Sequence, residues 1–373
     1  MSHEAMFMRR ALELARSASF TSPNPRVGAI LVRDGSIVGE GRHEGAGLPH
    51  AETVALDGVD ARGATLYVTL EPCVHVGRTQ PCAPVVAQSG VSRVIVAVTD
   101  PDVRVAGQGV AHLRREGIDV ELGLLESDAR LLNAPFFHHR TTGRPLVTLK
   151  LALTLDGRLA ARDRSSQWIT GPEARRRVHL RRSEVDSVLV GANTVLTDDP
   201  SLTARDVNAS RQPVKVIVDA TGRVAPTSKA LSDGSEAIVA TTHGASHETQ
   251  TAWKECGAEV VVLGNSEDGV SLLELLDLLG QRQHLEVYCE GGGELATSLL
   301  RAGLVGRLEL YYGGIVAGDG GPAIGDVGIT SLPDAQRWNL HAVERLGNDV
   351  RAEWHSPDLN ELMKPASPGE ESD

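Results

Sequence analysis

Four residues stand in an order suited to metal-assisted hydrolysis: His50 and Glu52 in the run PHAE, then Cys73 and Cys82 in EPCVHVGRTQPC. One neutral imidazole and two thiolates balance a zinc dication and leave a fourth position for water, whose pKa falls towards neutrality on the metal. Glu52, two residues past His50 at the start of an expected helix, can point into the same cleft without reaching the metal. It is left free to take a proton from that water and deliver it to a departing amine. The order H-x-E … P-C … C fits zinc-dependent hydrolytic deamination of a base. The competing reading, a closed zinc site or unrelated buried residues, explains Glu52 poorly.

The chain has four cysteines, and in a reducing compartment a close pair serves a metal better than a disulfide. Cys256 follows a polar helix-like stretch and Cys289 sits in the apolar run LEVYC, so both are expected to pack as small hydrophobes. A net charge of −12 opposes attraction to a nucleic-acid backbone or an anionic membrane, so neither partner is expected. Glu4 and Glu13 interrupt the N-terminal stretch where a signal peptide is continuously apolar. The expectation is a cytoplasmic enzyme acting on a small molecule, which a few local arginines suffice to hold if it is phosphorylated.

The elements that must position these residues alternate. In the first part the pattern predicts a helix over about 3–18, strands near 27–33 and 36–42, a helix from His50 and the strand ATLYVTL. A helix near Cys82, strand RVIVAV, helix QGVAHLRRE, strand IDVEL and a helix leading to HHR follow. Such alternation indicates an α/β architecture with a mostly parallel sheet. At 373 residues the chain exceeds the roughly 250 that one core usually serves, so two domains are expected. The polar HHRTTGRP at 138–145 marks the boundary, giving domains 1–144 and 145–357. The pattern restarts with LVTLKLAL, a helix from Pro172 to about Glu184, and strands DSVLVG, VKVIVDA, EAIVAT, AEVVVLG, LEVYCEG and RLELYYGG, with helices VSLLELLDLLG and ELATSLLRAG between the later ones. Residues 358–373, polar, acidic and rich in Pro and Ser, are expected to form a disordered tail.

Eight residues, VHVGRTQP, separate Cys73 from Cys82 where shorter deaminases have two. This long insert with its H-x-G-[RK]-T core, together with NPRVGAILV at 24–32 and VTLEPC at 68–73, resembles the deaminase domain of the bifunctional riboflavin-biosynthesis deaminase-reductase family. The resemblance implies a cytidine-deaminase-like α/β/α domain, zinc on His50, Cys73 and Cys82, and substrate contacts from Asn24, His43, His75 and Arg78.

No G-x-G-x-x-G joins a strand to a helix, so a standard dinucleotide fold is not supported. By itself the segment CEGGGELATSLL reads equally as a tight strand-to-helix turn or as backbone N–H groups and a helix N-terminus offered to a pyrophosphate. With LKLALTLDGRLA at 149–160, the long run at 165–205 and VIVDATGRV, it resembles the reductase domain of the same family, which has a dihydrofolate-reductase-like α/β fold. The resemblance implies NADPH held by Gly292, Gly293, Glu294, Leu295, Ala296, Thr297 and Ser298, with Ala152, Trp168, Thr194 and Asp198 as further contacts. It places Ser166, Leu202 and Glu290 at the substrate, with Arg182 and Arg205 near its phosphate; Arg181, like most arginines, is expected on the surface. The implied chemistry is hydride transfer to C1 of a ring-opened ribosylamine imine, with Lys150, Asp156 and Glu290 as candidates for the accompanying proton. The phosphorylated pyrimidine is a small-molecule partner, and a homo-oligomer is expected. Two alternatives compete: another zinc nucleobase or nucleoside deaminase fused to an unrelated nucleotide-binding domain, and a non-catalytic zinc-stabilised binding module. The acidic balance opposes a tRNA-acting deaminase, and Glu52 with the TLDGR segment opposes the binding module.

Overall fold

The structure, a computed structural model, describes residues 2–75, 79–102, 105–163, 165–266 and 269–365. The chain divides into two compact units, residues 1–142 joined by the segment from Glu361, and Gly143–Asn360. Among the described residues no helix is long and apolar enough to cross a membrane.

The first unit runs α1 (His3–Ser17), β1 (Gly28–Arg33), β2 (Ser36–Arg42), α2 (Ala51–Leu56), β3 (Thr65–Val68), α3 (Cys82–Gln88), β4 (Arg93–Val96), α4 (Gln108–Arg115), β5 (Asp119–Leu122), α5 (Glu126–Leu132) and α6 (Ala134–Thr142). The Ser2 hydroxyl accepts from Ala5 N at the start of α1, whose buried stripe Phe7, Met8, Ala11, Leu12 and Ala15 follows the helical period. The sheet order is β2-β1-β3-β4-β5. β1 pairs antiparallel with β2 and β3, whereas β3, β4 and β5 are parallel. The sheet is therefore mixed rather than mostly parallel, because the short Asp34-Gly35 turn between β1 and β2 makes a hairpin that leaves no room for a crossover helix. A Cβ on Gly41 of β2 would lie 2.1 Å from Ala51 O, so its absence lets the helix carrying Glu52 press onto the sheet.

The second unit runs β6 (Leu146–Leu153), β7 (Arg158–Ala160), α7 (Pro172–Glu184), β8 (Ser187–Gly191), α8 (Ala192–Asp198), β9 (Val214–Val218), α9 (Lys229–Ser232), β10 (Ala237–Thr241), α10 (His247–Glu255) and β11 (Glu259–Val262). It continues with β12 (Asn265–Ser266), β13 (Gly269–Val270), α11 (Leu272–Gln281), β14 (Glu286–Cys289), α12 (Gly293–Arg301), β15 (Arg307–Tyr312), β16 (Gly321–Pro322), β17 (Asn339–Leu346), β18 (Asp349–His355) and α13 (Pro357–Leu362). The large sheet has the order β11-β10-β9-β8-β14-β6-β15-β18-β17, parallel except for the pairs made by β18. The hairpin β17–β18 is not expected from the sequence, because the buried Arg351 and the half-buried Glu353 are ion partners that erase the apolar alternation. The expected tail at 358 begins as helix: Ser356 Oγ accepts from Leu359 N, Pro357 takes the first helical position, and Leu359 and Met363 are buried. Residues 366–373 lie outside the described residues.

Arg181, expected on the surface, is only 7% exposed. Its guanidinium pairs with Glu286 at 2.6 Å, Glu309 at 3.1 Å and Glu184 at 2.9 Å, a carboxylate set that offsets its desolvation. Glu309, opposite Lys150 in the β6–β15 register, also pairs with Arg351 at 3.1 Å and accepts from the hydroxyls of Tyr288 and Tyr311. Burial opposes its ionisation, yet Arg181 and Arg351 hold its carboxyl down to about 2. The stability it adds is therefore present above the ordinary carboxylate value of 4.5 and is lost as pH falls towards 2. Glu309→Ala, which takes from the buried Arg181 and Arg351 the carboxylate they share while each keeps another, is expected to cost about 3 kcal/mol. An unchanged midpoint in denaturant unfolding at neutral pH would contradict this network.

Candidate active sites

In the first unit three separate segments bring three donors together. His50 immediately precedes α2, Cys73 lies in the loop after β3, and Cys82 opens α3. His50 Nδ1 is 3.1 Å from Cys82 Sγ and 3.6 Å from Cys73 Sγ, and one donor atom from each residue lies within 4.8 Å of the others. The far nitrogen, Nε2, is 3.1 Å from Thr79 Oγ1, which fixes the ring with Nδ1 facing the sulfurs. An imidazole and two thiols at this spacing fit zinc, and a hydrogen-bonded far nitrogen is the usual support for a histidine ligand. The hydrogen bonds from the Cys82 thiol and from His50 draw the Cys73 thiol down, while Cys82, donating its proton to that thiolate and buried, is raised.

Glu52 is 4% exposed and stands outside the donor set. Burial pushes its carboxyl up to about 7. Asn24 Nδ2 is 2.9 Å from His43 Nε2, and His43 Nδ1 is 3.1 Å from Pro49 O, beside His50. The Asn24 segment is held by Asn133, whose side chain bonds both the N–H and the carbonyl of Arg26. That contact also explains why the single helix expected up to HHR is two, α5 and α6, broken at Asn133. His75 is exposed, and Arg78 lies outside the described residues. Sequence reasoning missed Glu71: its buried carboxylate accepts from Asp100 N, Gly107 N and Val110 N and clamps the Cys73 loop to the start of α4. Its signal was the glutamate of VTLEPC. A Cβ on Gly109 would lie 2.0 Å from Pro72 O, so that approach requires glycine.

In the second unit a pocket of about 690 Å³ opens where α7, α8 and the ends of β6 and β14 meet. It gathers Lys150, Ala152, Ser166, Trp168, Arg182 and Thr194, together with Asp198, Leu202, Arg205, Glu290 and Gly292. Thr194 Oγ1 accepts from Gly292 N, and Ser166 Oγ donates to Asp198 at 3.3 Å. Of the remaining glycine-loop candidates, Leu295 and Ala296 belong to the hydrophobic core. Thr297 Oγ1 donates to Gly293 O and accepts from Gly325 N, while Glu294 accepts from Asn193. Gly293, Glu294, Thr297 and Ser298 line a different cleft.

Asp156 stands apart from the pocket: its carboxylate accepts from Thr154 Oγ1, Ala317 N and Gly318 N, hydrogen bonds that hold it down at about 2. Arg182 grips Glu290 through two hydrogen bonds of 2.6 and 3.0 Å. Burial would raise Glu290, but Arg182 and Lys150 outweigh it and hold the carboxyl below its ordinary value. Burial lowers the Lys150 ammonium. His179 and Arg175, one helical face with Arg182, also line the pocket; their four- and three-residue spacing on α7 was the available signal. Cys256 donates to Trp253 O and Cys289 sits in the core, so both pack as expected.

Fold and sites together define a zinc-dependent deaminase joined to an NADPH-dependent reductase. Residues 1–98 match the cytidine and deoxycytidylate deaminase zinc-binding region, and residues 145–352 match the RibD C-terminal domain. The chain belongs to the RibD family of riboflavin biosynthesis proteins. The RibD protein of Aquifex aeolicus is 42% identical over 92% of this chain and 96% of its own, and that of Escherichia coli is 40% identical over 92% and 97%. The structure of Acinetobacter baumannii RibD superposes with a TM-score of 0.86 at 36% identity, covering 95% of this chain and 99% of that one. A diaminohydroxyphosphoribosylaminopyrimidine deaminase/5-amino-6-(5-phosphoribosylamino)uracil reductase from Thermotoga maritima gives 0.84 at 34% identity over the same shares.

Removing the Thr79 hydroxyl frees the His50 ring, so Thr79→Val is expected to weaken zinc binding about tenfold. Competition with a chromophoric chelator measures it, and an unaltered affinity would remove Thr79 from the support of the site.

Proposed function

We propose that this chain catalyses two consecutive steps: hydrolytic deamination of 2,5-diamino-6-(5-phosphoribosylamino)pyrimidin-4(3H)-one, then reduction of the ribosyl group to ribityl phosphate. The observation that carries the reading is the convergence of His50 Nδ1, Cys73 Sγ and Cys82 Sγ with Glu52 buried but outside the donor set. The deaminase–reductase relative from Thermotoga maritima, alike over nearly the whole chain, supports the substrate class.

His50, Cys73 and Cys82 hold zinc, which when bound supplies the Lewis acidity that makes hydroxide accessible at neutral pH. Glu52 takes the proton of the attacking water and delivers it to the amine, which leaves as ammonia while the carbonyl forms. Asn24 and His43, with His75 and Arg78, orient the pyrimidine.

In the second unit Ala152, Trp168, Thr194, Asp198 and the turn at Gly292 receive NADPH, whose nicotinamide supplies hydride when bound. Lys150 delivers the proton: the hydride goes to C1 of the ring-opened imine, the proton to its nitrogen, and a secondary amine results. Asp156, capped by three donors outside the pocket, and Glu290, committed as a carboxylate to Arg182, suit that role less well. Ser166 and Leu202 line the substrate side with Glu290. The protein works as a homo-oligomer, whose state sedimentation reads, in the cytoplasm, where free thiols persist.

Ammonia release and NADPH absorbance, followed together with the diaminopyrimidinone phosphate, test both steps. Glu52→Gln should keep zinc yet lose ammonia release by a factor of about 100 or more, while still oxidising NADPH when given the deaminated compound. Lys150→Met should show the reverse; NADPH oxidation at the wild-type rate would refute its assignment.

A further inference from the structure

One wall of the reductase pocket is a single excursion of the chain, the segment that joins β6 to α7. It supplies Leu159, Ser166, Trp168 and Ile169 to the lining, and Ser166 Oγ reaches across to Asp198 of α8 at 3.3 Å. From Leu155 to Thr170 none of the described residues is buried. Hydrophobic burial therefore does not hold this wall in place, and its position depends on hydrogen bonds to better-packed neighbours.

The segment is pinned at both ends. At its exit Gly171 N donates to Asp349 Oδ2 at 2.6 Å, and a Cβ on Gly313 would lie 1.9 Å from Ile169 O. At its entry the bonds converge on Asp156. One carboxylate accepts from Thr154 Oγ1 at 2.7 Å, within the turn closed by Gly157 N on Thr154 O, and from Ala317 N at 3.0 Å and Gly318 N at 2.7 Å in the loop after β15. Two successive backbone N–H groups aimed at one acceptor, the second on a glycine at φ 68°, make a concavity suited to an anion. Leu155 N adds a bond to Ile315 O at 2.8 Å, and β7 pairs with β16 just beyond.

The loop that receives Asp156 is fixed in turn beside the glycine turn of the pocket. Thr297 Oγ1 accepts from Gly325 N, and a Cβ on Gly293 would lie 3.2 Å from Pro322 O. From Asp156 the connection runs the other way through β7 to Ala161, whose N–H donates to Ser165 O at 2.9 Å, next to Ser166.

We propose that Asp156 is a positioning residue of the reductase: its carboxylate latches the wall segment to the loop after β15 and so sets Leu159 and Ser166 against the bound reactants. This rests on the reading that the pocket takes NADPH and the phosphorylated ribosylamine. Asp156 then moves no proton and acts through the residues that follow it.

Asp156→Asn keeps the shape of the side chain, removes its charge and presents amide hydrogens where an oxygen accepted. The wall segment carries Arg158, Arg162 and Arg164, so trypsin reads its release with no turnover at all. In the full-length protein without ligands, cleavage at these sites should be about tenfold faster in the variant, because proteolysis follows the population of the opened segment. Cleavage elsewhere should keep its wild-type rate. With the deaminated pyrimidine and NADPH, KM for the pyrimidine should rise about tenfold, the scale of one hydrogen bond to a charged group. The kcat should stay within about threefold, as expected when binding geometry rather than chemistry is lost. Unaltered cleavage at the three arginines overturns the latch, and so does cleavage accelerated equally throughout the second unit. A kcat lowered about 100-fold at wild-type KM and cleavage would make Asp156 the proton donor and overturn the positioning role. Wild-type enzyme that oxidises no NADPH with the deaminated pyrimidine overturns the functional reading instead, and the positioning role with it.

Discussion

Three donor atoms from segments up to 32 residues apart must arrive in one coordination sphere, and the first unit is arranged around that demand. His50 is delivered by a helix pressed against β2 across Gly41, Cys73 by a loop whose Glu71 is tied to three N–H groups, and Cys82 by the first turn of α3. Each device restricts backbone rather than side chain. That order of priorities is physical: a metal tolerates displacements of only a few tenths of an ångström in its ligands, and loops not pinned by hydrogen bonds wander further. Glu52 inherits its position from the same helix, so its separation from the donor set follows from the helical offset between residues 50 and 52.

The second unit solves a different problem. Its pocket is built from strand ends and two helices, and α7 carries consecutive arginines that face different ways. Arg181 is drawn into the sheet by Glu286 and Glu309, while Arg182 turns to Glu290 at the pocket wall. A buried network of this kind is poor value as stability, because desolvation cancels most of the Coulomb gain. Its effect here is positional: with Arg181 anchored, α7 has one rotation about its axis, and the face bearing Arg175, His179 and Arg182 is the one presented to the pocket.

The zinc site was legible because its chemistry is written in short windows: H-x-E fixes one helix turn, and P-C with a second cysteine fixes the loop and the next helix. Most strands and helices were legible for a similar reason, since period-2 and period-3.6 patterns are local. Strand direction was not, so the hairpin character of β1 and β2 escaped a pattern that reads only alternation. The hairpin β17–β18 and Arg181 escaped through one cause: a buried charge looks like a surface charge until its partners are known, and those of Arg181 lie 105 and 128 residues away. The sequence does not say which way the side chains that follow the glycines turn. Leu295 and Ala296 follow the glycines in sequence, but a helix turns such residues into the core within one turn.

Commitment of charge also orders the reductase pocket from end to end. Lys150 and Glu290 lie where β6 and β14 run side by side, and Glu290 keeps a negative charge there that Arg182 balances. Asp198, Asp199 and Asp206 also line the pocket, so its cations stand among carboxylates. Arg205, exposed at the loop after α8, and Lys150, buried at the sheet, therefore give the two sides of the pocket different surroundings for charge.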